Sequence, residues 1–299
     1  MFDTFKNRLE ITGILWTVTA LRISAGRSTE PIGSDLPVIK DALGRPFIPG
    51  SSLKGALRSR LESFLRAIDV SLAANPAIEA EWSITNERMN GENGIKNEVE
   101  EELKKYPERQ RAGKKDKILT CKIVKETDLV SRLFGSPWLA SKFQIRDLTV
   151  LPDYWFGQYQ ERDGVAIDRD TETAADGKLY DYQVVPADTP FQFHAVVENA
   201  EEWELGLLML GLHQLETEQI PLGGGRSRGL GVVKLKIDKM DWFDYPEDQP
   251  QLLLDYLKKL VMNDDSAYKD ANEYKDHWIK KLIEHLQNQS NSQEVKNVV

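Results

Sequence analysis

Nine residues, Gly223-Gly224-Gly225-Arg226-Ser227-Arg228-Gly229-Leu230-Gly231, place five glycines and two arginines directly before an alternating segment, residues 232–237. Backbone amides in such a loop can approach an anion closely because no Cβ atoms stand in the way. Neither Gly-Lys-Ser nor Gly-Lys-Thr closes the loop, which excludes a Walker phosphate loop. A strand follows where a dinucleotide fingerprint needs a helix. Phosphate in a polymer is the better match. A second cluster lies in residues 48–62, where Pro49-Gly50-Ser51-Ser52 opens a helix that carries Lys54, Arg58 and Arg60. Free amides, the Ser51 and Ser52 hydroxyls and Lys54 at a helix N-terminus suit a phosphate. The same residues also describe a helix capped by Ser51 or Ser52 with solvated cations, since serine is a favoured cap.

The remaining chemistry-bearing residues are sparse. The four histidines, His194, His213, His277 and His285, are scattered, so no pair suggests an imidazole acid–base ribonuclease or a zinc site. Cys121 is the single cysteine, which allows no internal disulfide and fits a reducing cytoplasm. Trp138, Trp155 and Phe156 could stack on bases, although aromatic residues beside strands are more often core. The runs at 98–102 and 114–117 read as solvated charge. Over 299 residues the net charge is -9, so contact with nucleic acid has to be local rather than a general basic coat. No secretory signal or membrane-spanning run is evident, and a cytoplasmic protein without a membrane partner is expected.

Several elements must position these groups. Residues 8–23 read as a strand with Leu9, Ile11, Gly13, Leu15 and Thr17 on one side. Residues 24–50 are rich in glycine and proline and leave room for a short strand at 38–40. Leu53, Leu57, Leu61, Phe64, Leu65 and Ile68 form one helical stripe. Residues 86–117 read as a solvated helix and a mobile basic loop inserted into the fold. Strand signals return at 143–151 and 191–197, on either side of a turn-rich insertion at 161–181. Trp203, Leu207, Leu208, Leu210 and Leu212 then mark a buried helix. The order predicts an α+β, ferredoxin-like (RNA-recognition-motif) core over residues 1–245 with two long insertions. A helical extension follows over 246–299, with helices at 252–261 and around Trp278 to Leu286 and a frayed end from 288.

Residues 35–41 (Asp35-Leu36-Pro37-Val38-Ile39-Lys40-Asp41), residues 48–62 and the glycine loop together resemble the RAMP superfamily of CRISPR effector proteins. The match is closest to the repeated backbone subunit of type III interference complexes. Leu133-Phe134-Gly135-Ser136 and residues 165–171 (Val165-Ala166-Ile167-Asp168-Arg169-Asp170-Thr171) strengthen it. The resemblance implies a subunit that stacks with repeated or paralogous copies, and with other effector subunits, into a filament along a guide RNA. Ser51, Ser52, Lys54, Arg58, Gly224, Gly225, Arg226 and Arg228 would hold guide phosphates. Val165, Ile167, Asp168, Arg169 and Thr171 would belong to a hairpin that displaces bases of the complementary target RNA. Backbone contacts carry no sequence information, as a subunit reading any guide requires.

On the same resemblance Asp35 is the residue that cuts target RNA, alone or with Mg2+ or another divalent ion. A carboxylate there can move the proton of a ribose 2′-hydroxyl. Read by itself, Asp35 is also an ordinary turn residue, as is Asp41. Three functions therefore stand: a target-cleaving endoribonuclease subunit, a non-catalytic RNA-binding subunit of the same complex, and a CRISPR-RNA processing nuclease, which the scattered histidines disfavour.

Overall fold

A computed structural model describes residues 4–24, 26, 35–164, 169–170, 172, 180–245 and 249–297, with side chains up to residue 289. Its centre is β1 (Asn7–Thr17), whose alternation places Leu9, Ile11, Leu15 and Thr17 on one buried face. β1 lies between β7 (Pro190–Glu198) and β8 (Val233–Asp244), both antiparallel to it. With β3 (Phe143–Ile145) and β9 (Lys269–Asp270) the sheet order is β3-β7-β1-β8-β9. The first four of these, with a helix after β1 and another after β7, give the ferredoxin-like arrangement that the sequence predicts. The strand expected over 8–23 stops at Thr17. There the amides of Val18 and Thr19 both turn to the Val232 carbonyl, and pairing resumes only as the isolated bridge between Leu21 and Val185.

Helix α1 (Gly50–Ile68) buries Leu53, Leu57, Leu61 and Leu65, whereas Phe64 is half-buried and Ile68 exposed. Neither Ser51 nor Ser52 caps it: Pro49 occupies the cap position, and the Gly50 amide donates to Asp147 Oδ1 at 2.8 Å. Asp147 stands between β3 and β4 (Leu148–Thr149), which pairs with β2 (Phe47–Ile48). A short-range serine cap is thus replaced by a long-range carboxylate.

The 86–117 insertion is helical where a basic loop is expected. Helices α2 (Asn86–Asn90), α3 (Ile95–Leu103) and α4 (Glu108–Glu126) enclose their own core of Met89, Ile95, Val99, Leu103 and Ile123. Arg88 bridges Glu98 and Glu126, and Lys122 reaches Glu98 at 3.0 Å, so charges that look solvated in sequence tie three helices together. Helix α5 (Leu129–Phe134) returns the chain to the main core.

Helix α6 (Glu202–Glu216) is apolar nearly all round, which requires cover on every side. The sheet and α1 cover one side. The other is covered by α8 (Lys275–Asn297), which follows α7 (Pro250–Val261) and extends through residues expected to fray. Only glycine fits at 206, because a Cβ there would lie 2.2 Å from the Trp278 carbonyl oxygen. Trp278 and Leu282 share the main core with Leu205 and Leu208. His285 stacks on Trp203 at 4.4 Å, and Arg132 lies over the same indole at 4.9 Å.

Burial, and secondarily the nearby Arg132 guanidinium, hold the His285 imidazole below its usual pKa. The unfolded chain therefore takes up this proton first as pH falls. The stability from neutral His285 is complete above about pH 6.5 and is lost below it. His285→Phe should keep the stack and reduce the fall in melting temperature between pH 7.5 and 5.5 by about 1–2 °C; thermal melts at the two pH values check this. Among the described residues no helix is long and apolar enough to cross a membrane.

Candidate functional site

The glycine loop is built differently from an open amide cradle. Gly223 has φ +72°, and a Cβ there would lie 2.0 Å from the Arg22 carbonyl oxygen, so the loop packs directly on the chain leaving β1. The Gly224 amide donates to Arg22 O and the Gly231 amide to Ala20 O. The amides of Arg228 and Leu230 donate to Gly225 O and that of Gly229 to Arg226 O. The Gly224 amide is thus engaged within the chain, and the loop serves as a pedestal for two exposed arginines. Arg226 donates to Gly223 O at 3.2 Å, and Arg228 to the Tyr180 hydroxyl at 2.9 Å.

Beside this loop, α1 and the residues after α6 enclose a pocket of about 430 Å³ lined by Ser51, Ser52, Ser59, Arg60, Gln219 and Arg226 among others. Among the described residues no carboxylate lines it. Two guanidinium groups, four serine hydroxyls and an amide therefore line a concave surface that offers donors without a competing anion, the composition that suits a phosphodiester backbone. Arg60 is held by Gln214 Oε1 at 3.3 Å and lies 4.6 Å over the Phe64 ring, which orients it without neutralising its charge.

Lys54 and Arg58 are not part of this pocket. Lys54 donates to Ser141 Oγ at 2.7 Å and to Phe143 O at 3.0 Å; burial, then the neighbouring Arg58 charge, lowers its pKa. Arg58 donates to Glu62 at 2.7 Å, Ser131 Oγ at 3.0 Å and Gly135 O at 2.9 Å. Both side chains pin α1 to the α5–β3 region, and the donors expected to hold phosphate are engaged there within the chain. Leu133-Phe134-Gly135-Ser136 is the other half of that joint. Arg60, Ser59 and Gln219 take their place on the opposite flank of the helix.

Asp35 starts an extended segment lying along β6 (Tyr180–Val184). Its amide donates to Asp181 Oδ1 at 3.3 Å, Leu36 bridges in parallel to Tyr182, and the Gln183 amide donates to Leu36 O at 3.1 Å. Asp35 is half-buried, and among the described residues none pairs with its carboxylate. Asp41 behaves as a turn residue. Its carboxylate accepts from the amides of Leu43 and Arg45 and from Arg45 Nε, each at 2.9 Å, and these hydrogen bonds hold its pKa below the usual range.

β6 pairs with β5 (Gln160–Gly164) as a two-stranded hairpin outside the main sheet. Val165, Ile167, Asp168 and Thr171 lie outside the described residues, and Arg169 is exposed. Among the described residues no three His, Cys, Asp or Glu side chains gather as metal ligands. His194 instead pairs with Glu10 at 2.7 Å and His277 with Glu202 at 2.8 Å.

The family model of the RAMP superfamily matches residues 15–234. The CRISPR system Cms endoribonuclease Csm3 of Enterococcus italicus is 24% identical over 237 residues, covering 79% of this chain and 92% of that protein. Proteins of the same name from Methanocaldococcus jannaschii and Mycobacterium tuberculosis are 47% identical over 60 residues and 50% over 56, each match covering 24% of the relative and 20% and 18% of this chain. The family match takes in the end of β1, α1, the Asp35 segment, the β5–β6 pair, α6 and the glycine loop, and on that extent the chain belongs to the RAMP superfamily.

Proposed function

We propose that this chain is the guide-RNA-binding backbone subunit of a type III CRISPR effector complex and an endoribonuclease that cleaves complementary target RNA. The observation that carries the RNA reading is the carboxylate-free pocket where Ser51, Ser52 and Arg60 of α1 meet Arg226. With Arg228 beyond it, this surface holds guide phosphates without reading bases. Membership in an effector complex with other subunits accords with the relatives' names. Guide RNA, target RNA and repeated copies along a filament are its proposed partners.

Cleavage is assigned to Asp35. Its carboxylate takes the proton of a target ribose 2′-hydroxyl, and that oxygen attacks the adjacent phosphorus in line. The P–O5′ bond breaks, and the 5′ oxygen leaves with a proton from water, which yields a 2′,3′-cyclic phosphate and a 5′-hydroxyl. The 165–171 segment, which follows β5 in the sequence, is proposed to displace target bases and free the backbone for this geometry. A divalent ion such as Mg2+ is a further proposal, but the described residues near Asp35 do not form a ligand set, so no step here passes through one.

Arg60→Ala combined with Arg226→Ala should weaken guide-RNA binding about tenfold or more. It should also reduce the slope of log affinity against log salt by about 1.4, two single-strand phosphate contacts being lost. Filter binding across a salt series checks this. Lys54→Met should leave the slope unchanged, and a wild-type slope in the arginine double variant would remove the pocket from the RNA path.

A further inference from the structure

Large rings stand exposed outside the pocket just described. Tyr154 and Phe156, in the segment after β4, are 58% and 71% exposed. They belong to one continuous strip. Trp16, at the end of β1 and on the face opposite its buried leucines, meets Tyr154 edge-on at 6.0 Å. Trp155 lies within 23° of parallel to Phe156 at 6.0 Å and tilts against Tyr159 at 5.0 Å. Lys40 Nζ sits 4.3 Å over the Tyr159 ring. Trp155 and Tyr159 pack against the main core, and the Tyr159 hydroxyl donates to Gly44 O at 2.6 Å, so the strip is fixed from beneath while Phe156 and Tyr154 remain open.

The strip ends on the segment that carries Asp35. Lys40 and Asp35 are joined by extended chain that spans about 17 Å at ~3.3 Å per residue. Lys40 is oriented by the neutral Gln183 amide oxygen at 3.0 Å rather than by a carboxylate. Asp41 close by is already engaged by Arg45. On the same face of the sheet Lys236, opposite Ile14, is exposed; Asp153, beside Tyr154, is an exposed acid. Rigid aromatic faces flanked by cations whose charge is not cancelled suit nucleobases joined by phosphates, because every base has a π face and stacking tolerates any sequence.

We propose that this strip is a stacking platform for unpaired bases of the RNA strand cut at Asp35, guiding that strand from the Trp16 end of the sheet toward the cleaving segment. The proposal rests on the reading of the chain as an RNA-cleaving subunit. It adds a contact to bases, where the arginine pocket contacts phosphates.

The test uses the assembled complex with Tyr154→Ala and Phe156→Ala together, and with Phe156→Trp alone. The double variant should bind complementary target RNA about 5- to 30-fold more weakly. Guide content and the salt slope should stay at wild-type values, since no charge is removed. Phe156→Trp should keep wild-type affinity. Unchanged target affinity in the double variant overturns the proposal, and so does loss of a neighbouring subunit from the complex, which would make the strip a protein interface. Wild-type cutting by an Asp35→Ala complex would overturn the catalytic assignment instead and leave this affinity measurement intact.

Discussion

An assembled complex carrying Asp35→Ala will bind complementary RNA as the wild type does and cut it at least about 100-fold more slowly, the lower end of what a positioned general base contributes. The two effects separate because Asp35 is not what holds its own segment in place. Leu36 bridges to Tyr182, its carbonyl accepts the Gln183 amide, and Lys40 is anchored on Gln183 and Tyr159. Removing the carboxylate therefore leaves the segment on β6. Asp35→Asn should be almost as inactive, since an amide of the same shape cannot take the proton.

Asp41→Ala is the matched control. Its carboxylate is occupied by the turn amides and Arg45, so cutting should persist with some loss of stability. Gel assays of target cleavage, run beside binding measurements on the same preparations, read both quantities. Unchanged cutting by the Asp35→Ala complex would return the chain to a purely structural RNA-binding role. Repeating the assay with a chelator asks whether the carboxylate acts alone.

Glu204→Ala should cost about 3–5 kcal/mol of stability, the usual penalty when one partner of a buried ion pair is removed. Glu204 is 0% exposed. Its Oε2 accepts from Lys142 Nζ and from the Glu201 amide, the latter at 2.8 Å and closing the capping box of α6. Arg132 Nε is 3.2 Å from Oε1, close enough for ion pairing but not aligned for a hydrogen bond. Deleting the carboxylate leaves Lys142, itself nearly inaccessible, charged and without its counterion. At ~2–4 °C per kcal/mol for a domain of this general size, the melting temperature should fall by roughly 10 °C. Glu204→Leu with Lys142→Met should recover much of the loss, because a buried pair replaced by apolar groups of similar volume is often neutral. Calorimetry of the three proteins decides it.

The parts legible in the sequence are those where one period sets burial. Leu9, Ile11 and Leu15 alternate because β1 has one covered face, and Leu53, Leu57, Leu61 and Leu65 recur because α1 lies on the sheet. Residue type alone does not tell which side chains share one surface. Lys54 and Arg58 have the charge to hold phosphate, yet on a wheel of 3.6 residues per turn centred on Leu57 they fall on one flank, with Arg60 and Ser52 on the other. That spacing was the available signal.

Other features depend on partners far along the chain, which no local pattern discloses. The Gly50 amide donates to Asp147, and the Gly231 and Gly224 amides donate to Ala20 and Arg22. Helix α4 escaped notice because few apolar residues mark it. Its inner side is fixed by Ile123 and by the Lys122–Glu98 pair rather than by a continuous stripe.

The contact of α8 with α6 has a consequence for biosynthesis. α6 is apolar around most of its circumference, and the helix that shields its outer side is translated well after it, beyond the glycine loop, β8 and α7. A nascent chain that has made every residue of the arginine pocket still carries a bare hydrophobic helix until Trp278 and Leu282 arrive. Until then the outer side of α6 is exposed apolar surface on the nascent chain, which makes that interval the one most open to aggregation.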